Sequence, residues 1–260
     1  MTFLEATFSG VVQGMTEFLP ISSSGHLVLL HHFFGAQEPQ LLFDLYLHLG
    51  TTLAVLILFW RKILNILTQE KKFLYHLFLG TLPAVGGALL FGGTIEKFFL
   101  QPRMVGVGFW VTAGWLLAGE RLRPVRSREL NWVSALLIGM SQAVAMVPGI
   151  SRSGMTIATG LMLGLKGELA VQYSFLLMIP AVAGAFLYEG FFNQSAPITF
   201  SGFFGKGSPI FAMGALTALA VGILAIAFVR RSVEKRKLSF FSLYLLMLGV
   251  ITFFGVGDAP

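Results

Sequence analysis

The sequence predicts an all-α integral membrane protein built as an inverted-topology duplication, and three observations predict it. The 260 residues are 55% hydrophobic and only 12% charged, whereas a soluble domain carries about 25% charged residues. Long apolar stretches alternate with short basic clusters, the pattern of a chain that crosses a bilayer repeatedly. Two further apolar stretches, each broken by Pro, Gly and Ser, repeat one another at a constant offset. The expected architecture is one membrane domain over 1–260, with repeats at about 1–125 and 130–260. It comprises six transmembrane helices and two re-entrant helix–break–helix segments.

In chain order, the first re-entrant segment is Phe8–Phe34, followed by spans at Leu42–Trp60, Leu74–Gly93 and Met104–Gly119. The second is Trp132–Leu165, followed by spans at Val171–Gly190, Pro209–Val229 and Ser239–Gly255. Each span is about long enough to cross ~30 Å of hydrocarbon as a helix. Trp60, Trp110, Trp115 and Trp132 are expected to include interfacial anchors. The broken segments are no simple spans, because freed backbone groups at membrane depth need protein or a water-filled cavity to satisfy them.

Charge orients the chain. Arg61, Lys62, Lys71 and Lys72, then Arg121, Arg123, Arg126 and Arg128, then Arg230, Arg231, Lys235, Arg236 and Lys237 occupy alternate loops. The opposite side holds Lys97, Arg103 and Lys206. The first side is therefore read as cytoplasmic, and both termini fall outside. The net charge of +6 is accounted for in this way, which excludes nucleic acid as a partner. The absence of cysteine excludes thiol and disulfide chemistry. With no basic stretch before Glu5, no cleavable signal is expected.

The duplication is read at a shift of 129 positions. Gly10 falls on Gly139, Gln13 on Gln142, Ile21 on Ile150, Ser22 on Ser151, Ser24 on Ser153 and Gly25 on Gly154, without a gap. Each half contains one re-entrant segment and three crossings, so the halves are inverted and their broken tips are expected to meet near the midplane. The first tip enters from outside.

That tip runs from Gln13 through Glu17, Pro20, Ser22, Ser23, Ser24 and Gly25 to His26. Gln13 and Glu17 share a helix face. A carboxylate at bilayer depth costs roughly 2.5–3.5 kcal/mol on insertion scales, so Glu17 reads as functional rather than as a structural buried acid. His26 alone is as well explained as a core histidine; beside Glu17 and three serines it reads as chemistry. The second tip, Pro148-Gly149-Ile150-Ser151-Arg152-Ser153-Gly154-Met155-Thr156, offers hydroxyls, a helix N-terminus and one guanidinium. Such a combination suits a phosphate. The competing reading has Arg152 merely neutralising Glu17. Asp44 and His48, one turn apart near the start of a span, could join the site, but an interfacial helix start is the preferred account, and Glu120, Glu168 and Glu189 are explained by helix ends.

Together the two tips supply a nucleophile, proton transfer and charge stabilisation, the requirements of phosphoryl transfer. Ser23 is the candidate nucleophile by position, with His26 and water as alternatives. A lipid-carrier flippase or transporter, alone or in addition, is the rival reading, since broken inverted repeats are transporter architecture.

The Gln13–His26 stretch and the Pro148–Thr156 stretch resemble the undecaprenyl-diphosphate phosphatase (bacitracin resistance) family of bacterial membranes, and the likeness spans the whole chain. The resemblance implies hydrolysis of undecaprenyl diphosphate to the monophosphate carrier of peptidoglycan synthesis, and dependence on a divalent cation, Mg²⁺ or Ca²⁺. It implies catalytic roles for Glu17, Ser23, His26 and Arg152. Gln13, Ser22, Ser24, Ser151, Ser153, Gly154 and Thr156 would surround the substrate, and Glu17 with Gln13 would hold the metal. Gln13 departs from the glutamate of many members; its amide oxygen still ligates but adds no charge. The partners implied are a polyprenyl diphosphate lipid and the bilayer, with a homodimer left open. The implied location is the bacterial plasma membrane, with a site open to the extracytoplasmic side.

Overall fold

The computed structural model describes residues 1–35, 40–99, 101–124, 127–191, 208–235 and 237–256. Arg126, Lys206 and Arg236, and the side chain of Glu189, lie outside what is described.

The described elements are helical, as in an all-α, multi-pass membrane protein. They are α1 (Phe3–Phe18), α2 (Ser23–Phe33), α3 (Leu41–Thr68), α4 (Lys71–Phe98), α5 (Pro102–Arg121), α6 (Trp132–Val144), α7 (Arg152–Met162), α8 (Gly167–Phe191), α9 (Ser208–Glu234) and α10 (Leu238–Gly255). Five of them, α3, α4, α8, α9 and α10, contain stretches long and apolar enough to cross a membrane. The 20-residue α5, expected as a sixth span, is not among these five. Gly106, Gly108, Thr112, Gly114 and Gly119 dilute its apolar character, and Gly106, Gly108 and Gly119 let it pack closely.

Both expected breaks are present, and local chemistry makes them. Helix α1 starts on a capping box between Thr2 and Glu5. It stops at Leu19, which is extended because Pro20 follows it and disfavours helical backbone at the preceding residue. Ser22 then takes φ 71°, an uncommon conformation for a residue with a side chain, and caps α2 by accepting from the Gly25 amide at 3.3 Å. Helix α6 ends at Ala145. Pro148 and Gly149 (φ 86°) turn the chain, and Ser151 caps α7 by accepting from the Gly154 amide at 3.0 Å. The two N-caps are 129 positions apart, as are the positive-φ glycines Gly35 and Gly164 that follow α2 and α7.

Packing places these breaks at the centre. Helix α1 lies along α9, where Gly10 meets Gly214, and α6 lies along α4, where Gly139 meets Gly80. Helix α5 runs along α10, tied by Trp110 Nε1–H donating to the Leu246 carbonyl at 3.2 Å. Phe18, Phe109, Leu116, Tyr173 and Phe175 fill the core between them. The outer surface is apolar: Phe78, Leu82, Leu89 and Leu90 on α4, and Phe240, Leu243, Met247 and Phe254 on α10, are exposed. A soluble monomer rarely shows contiguous apolar area of this kind; hydrocarbon is its natural neighbour.

Candidate active site

The last turn of α1 and the first turn of α7 bring Glu17 against Arg152. Glu17 Oε1 pairs with Arg152 Nη2, and the two side chains are 5% and 17% exposed, so the pair is shielded from water. Glu17 Oε2 accepts from Ser23 Oγ at 2.6 Å and from Gln13 Nε2 at 3.1 Å. His48 Nδ1 of α3 lies 3.3 Å from the same oxygen and 3.0 Å from Gln13 Nε2. Because that amide nitrogen only donates, Nδ1 accepts from it and the imidazole proton sits on Nε2. One carboxylate thus gathers a hydroxyl, an amide, an imidazole and a guanidinium.

The second break is held rigidly behind this cluster. Arg152 Nη1 donates to the Ser174 carbonyl at 3.1 Å, fixing the guanidinium plane. Ser153 Oγ donates to the Leu19 carbonyl at 3.1 Å, joining one break to the other. Thr112 Oγ1 accepts from the Ser151 amide at 2.9 Å, and Thr156 Oγ1 shares a hydrogen bond with Ser174 Oγ at 2.7 Å. Ser151, Ser153 and Thr156 are buried, and their hydroxyls are engaged with protein groups.

A cavity opens over the cluster. Glu17, Ser22, Ser23, Ser24, His48 and Arg152 form its polar side, while Ala145, Met146, Ile150, Ala181, Val182 and Ala185 form an apolar wall. The arrangement suits a ligand with an anionic head and a hydrocarbon tail: the guanidinium and the serines meet the head, and the alanine-rich wall meets the tail.

His26 sits one turn beyond Ser23 on α2. Its Nδ1 is 2.7 Å from the Ser22 carbonyl, which only accepts, so Nδ1 carries the proton. Nε2 is then the bare nitrogen, and it accepts from the Tyr244 hydroxyl of α10 at 2.7 Å. The Phe109 ring packs edge-on at 5.5 Å.

Comparison with known proteins gives the family. The family described as "Bacitracin resistance protein BacA" matches residues 6–251. An undecaprenyl-diphosphatase of Carboxydothermus hydrogenoformans is 38% identical over 255 residues, covering 96% of each chain. Those of Thermodesulfovibrio yellowstonii and Protochlamydia amoebophila are 36% and 37% identical, covering at least 95% of each chain. The chain belongs to the BacA family.

Within this BacA chain, the residues expected from sequence divide into three groups, one of which is His26 alone, which faces Tyr244 and Phe109 and is not among the residues lining the cavity. Glu17, Ser23, Gln13 and Arg152 meet directly, and Ser22 and Ser24 border the same cavity. Ser151, Ser153, Gly154 and Thr156 instead build the turn that presents Arg152. Three groups escaped the sequence reading: His48, set aside as part of a helix start, the Ser174 carbonyl, and Tyr244. For His48 a signal existed, a histidine set in the apolar run that follows Asp44. A backbone carbonyl and a tyrosine on the last helix carry none.

A divalent cation fits this site only together with substrate. Among the described residues no three His, Cys, Asp or Glu side chains gather as a metal site. Both Glu17 oxygens already accept from protein donors. Gln13 Oε1, however, is buried without a hydrogen-bond partner. Mg²⁺ is typically held by one or two carboxylates plus substrate phosphates, and Glu17 with Gln13 matches that sparse set.

Proposed function

We propose that the chain hydrolyses undecaprenyl diphosphate to undecaprenyl phosphate and inorganic phosphate, renewing the lipid carrier of peptidoglycan synthesis. One observation carries the reading: a single carboxylate, Glu17, accepts the hydrogen bond of Ser23 Oγ on one oxygen and pairs with Arg152 on the other. Family membership and the activity named for its relatives support it.

In this reading the Arg152 guanidinium, steadied by Ser174, holds the terminal phosphoryl group, with Ser22 and Ser24 beside it. Ser23 Oγ attacks the terminal phosphorus as its proton passes to Glu17 Oε2. The bond to the bridging oxygen breaks, and the lipid monophosphate leaves as an anion without needing a proton. Water then attacks the phosphoserine and its proton goes to His26 Nε2, from whose lone pair the Tyr244 hydroxyl must first turn away, while Glu17 returns the first proton to Ser23 Oγ. Glu17 and Gln13 Oε1 would hold a divalent cation, Mg²⁺ or Ca²⁺, which when bound supplies neutralising charge on the diphosphate. Ser23 is preferred as nucleophile over His26 or direct attack by water because its proton already has an acceptor at 2.6 Å.

The architecture belongs to the same reading. We read α1–α5 and α6–α10 as two inverted repeats of one membrane domain, with α5 as a sixth crossing. The matched caps at Ser22 and Ser151 and the exchanged pairings α1 with α9 and α6 with α4 support this. We read the site as open to the extracytoplasmic side of the bacterial inner membrane, a reading that the basic loops support.

The test is phosphate release by detergent-purified protein from undecaprenyl diphosphate, with and without EDTA, beside His26→Ala and Arg152→Ala. Release by the wild type that both variants abolish is the expected result. No release under any cation, with lipid translocation in liposomes intact, would replace hydrolysis with a flippase. An impermeant substrate analogue acting only from the cytoplasmic face would reverse the orientation.

A further inference from the structure

Tyr244 lies 218 positions from His26, on the last helix, yet its hydroxyl meets the one nitrogen of His26 that has no proton. The rings are nearly parallel, at an interplanar angle of 10° and with centroids 5.8 Å apart, and the hydroxyl stands 2.7 Å from Nε2. His26 is therefore fixed by two bonds with separate effects. Ser22, held at positive φ, aims its carbonyl at Nδ1 and decides which nitrogen carries the proton. Tyr244 decides where the other nitrogen points. We propose that Tyr244 is a positioning residue for the hydrolysis, orienting His26 Nε2 through its hydroxyl. The proposal rests on the reading of His26 as a catalytic residue.

A hydroxyl suits this position in both protonation states of the ring. It donates to Nε2 while His26 is neutral, and it accepts from Nε2–H once His26 has taken a proton from water. Phenylalanine would fill the same space and do neither. The partners that orient metal-ligating histidines are worth a factor of about ten to a hundred, and an effect on that scale is expected here.

The other half of the molecule supplies an internal control. Trp115 of α5 stands 129 positions before Tyr244. It makes the corresponding kind of brace, its Nε1–H donating to Thr159 Oγ1 of α7 at 2.9 Å. That contact ties a helix after a break to its neighbour without touching the site. If α10 merely braced α2, Tyr244 and Trp115 would be equivalent in function.

The experiment compares Tyr244→Phe and Trp115→Phe with wild type and His26→Ala, all as full chains in detergent. It reads kcat, KM, the melting temperature, and the imidazole nitrogen resonances of ¹⁵N-histidine-labelled protein. His26 is assigned by the signals that His26→Ala removes. Tyr244→Phe should lower kcat about tenfold or more, keep KM within about twofold, and shift the His26 Nε2 resonance while Nδ1 stays protonated. Trp115→Phe should do none of this. A wild-type kcat in Tyr244→Phe, with His26→Ala inactive, overturns the proposal and leaves the catalytic reading of His26 standing. Full activity in His26→Ala removes that reading and the proposal with it. Equal losses of kcat and melting temperature in Tyr244→Phe and Trp115→Phe would reduce Tyr244 to a packing contact.

Discussion

Glu17, at the end of α1, and Arg152, at the start of α7, are 135 positions apart in sequence and share a buried ion pair that joins the two helix breaks. Neither charge has a comparable partner elsewhere to fall back on: Glu17 otherwise accepts from the neutral donors Ser23 and Gln13, and Arg152 otherwise donates to a backbone carbonyl. Fold and chemistry are thus coupled at one contact.

Removing one partner should therefore damage both. Arg152→Ala strands the Glu17 carboxylate, and breaking a buried pair costs about 3–5 kcal/mol. Its melting temperature in detergent should fall clearly, and phosphate release should fall by about a hundredfold to a thousandfold. Glu17→Gln/Arg152→Gln should be more stable than Arg152→Ala yet equally inactive. A double variant no more stable than Arg152→Ala would show that the pair is not the source of the lost stability.

Ser23→Ala should lose activity by at least about a thousandfold, since catalytic groups acting as a unit fail together. The fold should survive, because Ser22 rather than Ser23 caps α2. Rapid-quench labelling from terminal-phosphate-labelled lipid should give a phosphoenzyme with wild type and none with Ser23→Ala. Substantial turnover in Ser23→Ala would move the attack to water or to His26.

Much of this site was legible in the sequence, and the part that was not has a physical explanation. The breaks were visible because Pro20, Gly149 and the serines act locally, through backbone preferences that need no tertiary context. The approach of the two breaks was visible because the 129-position repeat pairs their segments, whereas a direct pair between Glu17 and Arg152 belonged to the competing reading. His48 and Tyr244 were missed because they reach the site from helices whose rotation is set by packing, and a residue number does not give that rotation. Ser151, Ser153 and Thr156 were expected on the substrate, but their hydroxyls are taken by the turn that carries Arg152.

Gln13→Glu tests the cation requirement. The new carboxylate would stand about where Gln13 Nε2 now lies, 3.1 Å from Glu17 Oε2. Two carboxylates that close repel unless a cation lies between them. The variant should reach half-maximal phosphate release at a lower Mg²⁺ concentration than wild type, and should melt lower in EDTA but recover when Mg²⁺ is added. A titration midpoint that does not move would separate Gln13 from the cation.

Gly149→Ala should be the most damaging small substitution in the α6–α7 break, and Gly35→Ala shows why. Both glycines hold positive φ, 86° and 75°. A side chain in such a conformation costs about 1–3 kcal/mol of backbone strain at either position. At Gly35 a Cβ would meet nothing within 4 Å, so the strain is the whole cost. At Gly149 it would drive into the Val105 backbone of α5, which has no rotamer with which to yield. Overpacking adds about 1–3 kcal/mol. Relief requires the turn to back away from α5, carrying with it Ser151, which Thr112 anchors, and Arg152 immediately after. Melting in detergent should therefore drop further for Gly149→Ala than for Gly35→Ala, and only Gly149→Ala should lose phosphate release in the fraction that stays folded. Equal effects at the two positions would mean that backbone strain alone, and not the close approach to α5, sets the position of Arg152.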